Sequence, residues 1–409
     1  MGSWWLEYTN AFRNVTRQYR RSLFGIATVT FGVVALLLAA GFIEWIFWAT
    51  REGTIQNGLG HIHVMRPGYL DDGQANPMSY LIDPQLPQLV AIKNIPGISA
   101  VAPRLAFNGM ISHGDATISF IGEGVDPAAE QEASGKLLIT FGENLSSADP
   151  KGIVLGRGLA ENLGAKVGDA VVLLAPVPGG SVNAVEGTVR GLFNTVSKAY
   201  DDSALRMPLP TAQKLLRVSG VHRFVLVLKD TAQTAQTTAA LRTQFGGANL
   251  EFVPWYEMAD FYQKVVTLLS KQVSVVEFII AVIIILSISN TMMMGVIERT
   301  AEIGTCLAIG NTQREILRQF IFEGLTIGLI GGALGVALGW LLSTLISWMG
   351  IPMPPPPGMS QGYTGEIMFT WRLGLETFVL ALGTTLLASF YPAWKASRMQ
   401  IVDALRHSR

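Results

Sequence analysis

The chain holds one cysteine, Cys306, in 409 residues, so no intrachain disulfide can form. Charge is also scarce. Asp, Glu, Lys and Arg make up 15% of the residues, and 30 bases offset 30 acids. A net charge of +0 gives no electrostatic reason to expect nucleic acid as a partner. The phosphate loop G-x-x-x-x-G-K-[ST] is missing. Gly135-Lys136 has neither the earlier glycine nor the following hydroxyl residue. Gly156-x-Gly158 runs into Ala160-Glu161 where a dinucleotide fingerprint needs its third glycine, and reads as turn geometry. No protease triad or zinc motif occurs. His61 and His63 share one face of the alternating stretch 60–65, but no further ligands follow at metal spacing. No histidine lies near Cys306 to activate its thiol. The expectation is a chain without its own catalytic, nucleotide or metal site.

What the chain has instead is apolar length. Hydrophobic residues make up 49%, and the mean hydropathy is +0.37. Four runs lack charge: residues 23–43, continuing past Glu44 to 49; residues 278–297; residues 324–350, with a helix end near 348; and residues 377–394. Each can cross a hydrocarbon core of about 30 Å at 1.5 Å per residue. The first is too long for a cleaved signal, and no small-x-small site precedes a polar start. Basic residues set the orientation. Arg13, Arg17, Arg20 and Arg21 precede the first run, and Lys395, Arg398, Arg406 and Arg409 follow the last. Arg299, Arg314 and Arg318 lie between the second and third runs, whereas residues 350–371 carry no Lys or Arg. Both termini and the 298–318 segment are therefore expected in the cytoplasm. Residues 51–270 and 349–372 are expected outside.

The stretch from Glu298 to Trp340 organises the rest. Ile303, Cys306, Leu307 and Gly310 fall at i, i+3, i+4, i+7 and predict a short amphipathic helix. Gly310 suits the left-handed residue that ends it. Thr312 and Glu315 then form a capping box that starts the next helix. The product is a helix–glycine–helix corner with Glu298, Arg299, Glu302, Arg314, Glu315 and Arg318, either a docking element or a solvated loop between spans. Beyond it, Gly324, Gly328 and Gly332 interleave with Gly331, Gly335 and Gly339, overlapping small-xxx-small spacings that predict close helix packing.

These motifs carry a resemblance. E-R-T-x-E-I-G at 298–304, L-x-x-x-G, the glycine-spaced span, and the closing Tyr391-Pro392-Ala393-Trp394-Lys395-Ala396-Ser397-Arg398 and Val402-Asp403-Ala404-Leu405-Arg406 resemble the permease subunits of the MacB/FtsX/LolC–LolE superfamily of ABC transporters. The size and layout are nearest the stand-alone LolC/LolE-like members. The resemblance implies an α-helical membrane protein of four transmembrane helices, with a large α/β periplasmic domain inserted between helices 1 and 2. It further implies a multi-pass protein of the bacterial inner membrane. Two ATPase subunits, which hold the ATP and Mg, and a second permease copy or paralogue would be partners. A periplasmic carrier or adaptor and membrane lipid complete the set. Glu298, Arg299, Glu302, Ile303, Leu307, Gly310 and Asn311 would couple to the ATPase, with Ile303 and Leu307 packing into it, and ATP-driven closure would move the outer domain by mechanotransmission through the long helices 1 and 2. The expected work is release of a lipoprotein or other lipid-anchored substrate. MacB-like efflux of peptides, toxins or drugs and FtsX-like control of a periplasmic hydrolase are the alternatives. Glu44 and Glu277, at similar depth near the outer ends of the first two spans, are candidates to line a substrate path.

The expected division is a cytoplasmic amphipathic helix at 1–21 and spans at 22–50, 271–297, 319–348 and 373–394. Between them lie the outer domain at 51–270, the coupling segment at 298–318 and an extended proline-rich cover at 349–372. A cytoplasmic tail at 395–409 closes the chain. Within the outer domain, helices are expected at 86–93, 211–217 and 232–245. Strands are expected at 98–101, 152–155, 170–175, 184–193, 223–229 and 250–253, and a hairpin pairs 108–112 with 116–121. A polar connection at 126–150 opens a small β-rich subdomain at about 126–200. A helix from about Met258 is expected to run unbroken into the second span.

Overall fold

The structure, a computed structural model, describes residues 19–55, 59–73, 76–133, 138–195, 197–353 and 363–400, together with Arg13 and Arg17. The amphipathic segment expected at the N-terminus, most of the proline run and the motif at 402–406 lie outside the described residues. The chain divides into two compact units: residues 1–48, 265–352 and 364–409, and residues 49–264 with 353–363.

The longer helices are α1 (Tyr19–Thr54), α2 (Pro87–Lys93), α3 (Pro127–Ala133), α4 (Arg157–Leu163), α5 (Leu209–Leu216) and α6 (Thr234–Phe245). They continue with α7 (Asp260–Glu298), α8 (Thr300–Ile309), α9 (Gln313–Met349) and α10 (Trp371–Ser397). Four of them, α1, α7, α9 and α10, are long and apolar enough to cross a membrane. α7 is one unbroken helix of 39 residues. α10 continues through Pro392 to Ser397.

The first unit is the helical bundle. Its core joins Val29 and Val33 of α1, Ile284, Ile288 and Met292 of α7, Ile316, Phe320 and Ile327 of α9, and Ala381 and Ala388 of α10. The six glycines of α9 divide between two neighbours. A Cβ at Gly324 would meet Ser389 of α10 at 1.8 Å, and one at Gly332 would meet Phe378 at 2.9 Å, while Gly328 packs on Leu382 and Thr385. On the other side, a Cβ at Gly331 would meet Val29 of α1 at 2.8 Å, and one at Gly335 would meet Val33 at 2.6 Å. Gly339 faces Leu37. Such close approach lets hydroxyls reach backbone carbonyls across helices, which replaces the hydrophobic drive that lipid does not supply. Thr30 Oγ1 donates to Gly331 O at 3.1 Å, and Ser289 Oγ donates to Ala388 O at 2.7 Å.

The second unit is built on one ten-stranded sheet. Its strands are β1 (Ile62–Met65), β2 (Ile98–His113), β3 (Ala116–Val125), β4 (Leu138–Gly142), β5 (Gly152–Gly156), β6 (Ala170–Pro176), β7 (Val182–Asn194), β8 (Ala204–Pro208), β9 (Arg223–Leu228) and β10 (Glu251–Pro254). The order is β10-β1-β9-β2-β3-β8-β5-β7-β4, with β6 bridging β2 and β7. Only β3–β8 and β5–β7 are parallel among these pairs.

Two readings of the sequence differ from this. The separate stretches at 98–101 and 108–112 are one strand of 16 residues, β2, whose far half forms the hairpin with β3. Residues 126–150 are more than a connection, since they carry α3 and β4. The strands of 138–194 do not close a sheet of their own, because β8 returns between β3 and β5 and ties them to the rest.

Candidate functional site

The corner at 298–318 is held to the bundle by its own motif. α7 ends at Glu298 and α8 begins at Thr300, so Arg299 occupies the break. Its guanidinium turns inward. It donates to Glu302 at 3.2 Å and to Glu323 of α9 at 3.5 Å, and lies 5.8 Å from the centre of the Phe320 ring. The Arg299 and Glu323 side chains are only 13% and 12% exposed, so water screens this pair little. Arg21 of α1 supplies the second brace. It donates to Glu298 at 2.9 Å and, through Nε, to the Thr291 carbonyl at 2.8 Å. The guanidinium fits there because residue 295 is glycine: a Cβ would meet Arg21 Nη2 at 2.3 Å. Four helices, α1, α7, α8 and α9, thus meet around two arginines.

The turn itself follows from backbone chemistry. Gly310 takes φ 113°, a left-handed conformation that costs little without a Cβ. Its N–H donates to Leu307 O at 3.2 Å, and the N–H of Asn311 donates to Cys306 O at 3.0 Å, the paired bonds of a Schellman end. Thr312 then caps α9. Its N–H donates to Glu315 Oε2 at 2.8 Å, and its hydroxyl accepts from the Glu315 N–H at 3.4 Å.

The individual side chains sort into two groups. Glu298, Glu302, Gly310 and Asn311 are exposed. Arg299 is half-buried, and Leu307 is partly buried against the bundle core. Ile303 is 5% exposed and belongs to that core with Ile316 and Phe320. Ile303 is therefore not free to pack into another protein, which corrects the role expected for it. The periodicity identified an apolar face, but the bundle itself covers that face. The apolar side chain left at the surface is Ile309, 80% exposed, followed by exposed Gly310, Asn311, Thr312, Gln313 and Arg314. Sequence reasoning passed over Ile309 because it sits off the i, i+3, i+4 face.

Glu44 is exposed on α1 and Glu277 half-buried on α7. Among the described residues no hydrogen bond or ion pair joins them. Glu44 lies within electrostatic reach of Arg372, which itself pairs with Glu376 at 2.8 Å. An apolar cleft of the bundle, bounded by Gly32, Leu36, Ile280, Ile284 and Leu380, contains neither acid.

The large domain holds a charged cluster that the sequence did not announce. Glu130 of α3 accepts from Arg104 at 2.7 Å and from Arg206 at 3.1 Å. Glu123 pairs with Arg206 at 3.5 Å and Arg104 at 3.8 Å, and accepts a hydrogen bond from Arg223. Burial would raise the Glu123 carboxyl, but the three guanidiniums hold it at about 2. The only signal was a charge inside an apolar strand, as with Arg206 in Ala204-Leu205-Arg206-Met207-Pro208. His61 and His63 bond to Thr231 Oγ1 (3.0 Å) and Leu59 O (2.6 Å), and among the described residues no group of three metal-ligating side chains forms.

Comparison with known proteins matches two stretches of the chain. Residues 22–244, more than half of the chain, match the MacB-like periplasmic core domain, and residues 274–401 match the FtsX-like permease C-terminal domain. An uncharacterised ABC transporter permease of Methanocaldococcus jannaschii is 23% identical over 416 residues, 97% of each chain. The lipoprotein-releasing system transmembrane protein LolC of Neisseria meningitidis serogroup B is 23% identical, covering 94% of each. The macrolide export ATP-binding/permease protein MacB of Chromobacterium violaceum is 30% identical over 245 residues, 55% of this chain and 34% of that one. With both domains matched in chain order, and with relatives aligned from end to end, this chain belongs to the MacB/FtsX/LolC family of ABC transporter permeases.

Proposed function

We propose that this chain is the permease half of a two-part transporter and that its 298–318 corner receives the stroke of a separate ATPase. The observation that carries the reading is the braced corner. Arg299 ties the start of α8 to α9 and Arg21 ties α1 to the end of α7, while Ile309, an apolar side chain 80% exposed, and its exposed neighbours through Arg314 face outward. A rigid element with an uncovered apolar tip can pass on displacement, whereas a loose loop would absorb it. In this reading the corner and both termini are cytoplasmic, in the inner membrane, in keeping with the basic residues there. The large domain is periplasmic. Two ATPase subunits supply ATP and Mg to a pair of permease chains.

The work is release of a lipoprotein or similarly lipid-anchored substrate towards a periplasmic carrier. The LolC relative supports this, since it aligns over 94% of both chains, whereas the MacB relative aligns over 34% of its own length. Efflux of peptides, toxins or drugs is the second reading; the name of that MacB relative gives macrolide export, and the match of residues 22–244 favours it. Glu44 and Glu277 are candidates to line the substrate's route.

The test uses the purified complex with its co-expressed ATPase in lipid. Ile309→Asp combined with Arg314→Glu changes only exposed side chains. Loss of association or of coupled ATP turnover, with the permease still monodisperse, supports the corner as the coupling element. Unchanged association and turnover would sink it.

A further inference from the structure

The outer ends of α1 and α7 both reach the large domain beside His61. Past α1, the Gly60 N–H donates to Ile55 O at 2.9 Å. The His61 N–H donates to Leu226 O of β9, and its carbonyl accepts from the Trp255 N–H, both at 2.9 Å. Ile55, Trp255 and Ala259 are buried together there, and the Tyr262 ring of α7 lies 4.9 Å from that of Trp255.

The His61 side chain extends this tie through hydrogen bonds whose protons have one order. The Leu228 N–H donates to Nδ1 at 3.2 Å, so Nδ1 keeps its lone pair and the ring proton sits on Nε2. Nε2 therefore donates to Thr231 Oγ1 at 3.0 Å. A hydroxyl has one proton, and Thr231 gives it to Glu52 Oε1 at 3.3 Å. Glu52 lies in the last turn of α1, so three side chains join a backbone amide of β9 to the end of that helix. This order requires a neutral His61. A proton on Nδ1 would face the Leu228 N–H, donor against donor, and leave a buried amide without its acceptor. The charged groups around the ring are Glu52 and Arg51 of α1 and Asp230 beside Thr231. Burial is the largest effect and favours the neutral ring, Arg51 adds to it, and the two carboxylates oppose it.

We propose that Glu52, Thr231 and His61 form an acid-released latch: a proton on His61 Nδ1 frees the outer end of α1 from β9, and coupled ATP turnover falls when the outside turns acidic. The inference rests on the proposed reading that puts the large domain outside and a separate ATPase inside, and adds a control to it. A released His61 regains its ordinary pKa of about 6.5, so acid draws the equilibrium towards release, by at most about thirtyfold at about pH 5.

The first test is amide hydrogen exchange of the full chain in lipid, read by mass spectrometry over residues 49–55. Wild type and His61→Gln are compared at the same pH, so intrinsic exchange cancels. Gln keeps a donor for Thr231 and takes up no proton. At about pH 5 the wild type is expected to exchange roughly tenfold faster than His61→Gln, and at about pH 7.5 the two should agree. Thr231→Val breaks the chain without touching a titratable group, so it should exchange fast at both, and it serves if His61→Gln does not fold. A wild type as slow as His61→Gln at about pH 5, or still slower than Thr231→Val there, would overturn the latch whatever the ATPase does. The second test reconstitutes the complex with its ATPase outward, so that the vesicle lumen holds the large domain while the ATPase stays at about pH 7.5. Acidifying the lumen to about pH 5 is expected to cut ATP turnover severalfold and reversibly in wild type. The cut should persist in His222→Gln, which removes a different buried histidine, and vanish in His61→Gln. The opposite pattern would assign the effect to His222 and overturn the proposal. Turnover indifferent to lumen pH, with the ATPase bound and active, would overturn the control and leave the transporter reading intact. Acid-sensitive exchange at 49–55 in a chain that binds no ATPase would support the latch and count against the transporter reading.

Discussion

Replacing Glu130 by alanine takes away the carboxylate that Arg104 and Arg206 share inside the large domain, and leaves buried positive charge behind. Removing one partner of a buried ion pair costs roughly 3–5 kcal/mol, far more than the pair's net contribution. Glu130→Ala is therefore expected to lower the unfolding midpoint of the large domain sharply, read by denaturant titration of the purified chain. Exposed Arg157→Ala, which breaks the surface pair with Glu161, should change it little. At this scale the sequence was least legible. Arg104, Glu123, Arg206 and Arg223 each sit in a strand, where alternation gives a face but not the burial of that face. The pairing of β3 with β8 and of β2 with β9 brings these four charges together, and α3 adds Glu130. Ile303 failed for a related reason, since a helical stripe does not say which body covers it.

The elements were more legible, because their signals are local. The glycine that ends α8 and the Thr312–Glu315 box that opens α9 are short-range geometry, and both are formed. The glycine spacings of α9 were readable as close packing, though not the division between α10 and α1, which depends on where the neighbours lie. That division yields a comparison. Gly335→Leu would drive a side chain into Val33 and the Thr30 carbonyl, whereas a Cβ at Gly383 of α10 meets nothing within 4 Å. Overpacking of this kind costs about 1–3 kcal/mol. Thermal melts in detergent should show a lowered midpoint for Gly335→Leu and no loss for Gly383→Ala, which also gains helix propensity. Equal midpoints would mean that α1 does not hold Gly335 closely.

For the whole molecule, stability is expected to depend on pH through buried histidines of the large domain. His222 stacks on Tyr69 at 5.5 Å, and its Nδ1 accepts from the Ala106 N–H at 3.2 Å. Burial, reinforced by the Arg223 charge, lowers it from 6.5 to about 4. Burial likewise lowers His61 and His63. A histidine kept neutral in the fold contributes fully above 6.5. That contribution is lost as pH falls from 6.5 towards 4, and for His222 the loss is roughly 3 kcal/mol. Glu123 acts lower, between 4.5 and about 2. Melts of the full chain should therefore fall between pH 6.5 and 4.5, less steeply in His222→Gln. An unchanged slope in that variant would assign the titration to His61 and His63. Coupling also has a test at this scale. α7 is one helix from Asp260 to Glu298, so glycines inserted at 268–270 are expected to lower coupled turnover without preventing assembly with the ATPase, and unchanged turnover would reject a transmitting role. The two glycine rows of α9 have one more consequence, for how this chain can vary by descent. A bulkier residue at 324, 328 or 332 needs an answering loss of volume on α10, and one at 331, 335 or 339 needs it on α1. Neither row can be rescued by the other's neighbour, so the helix should accumulate change as two separately compensated registers.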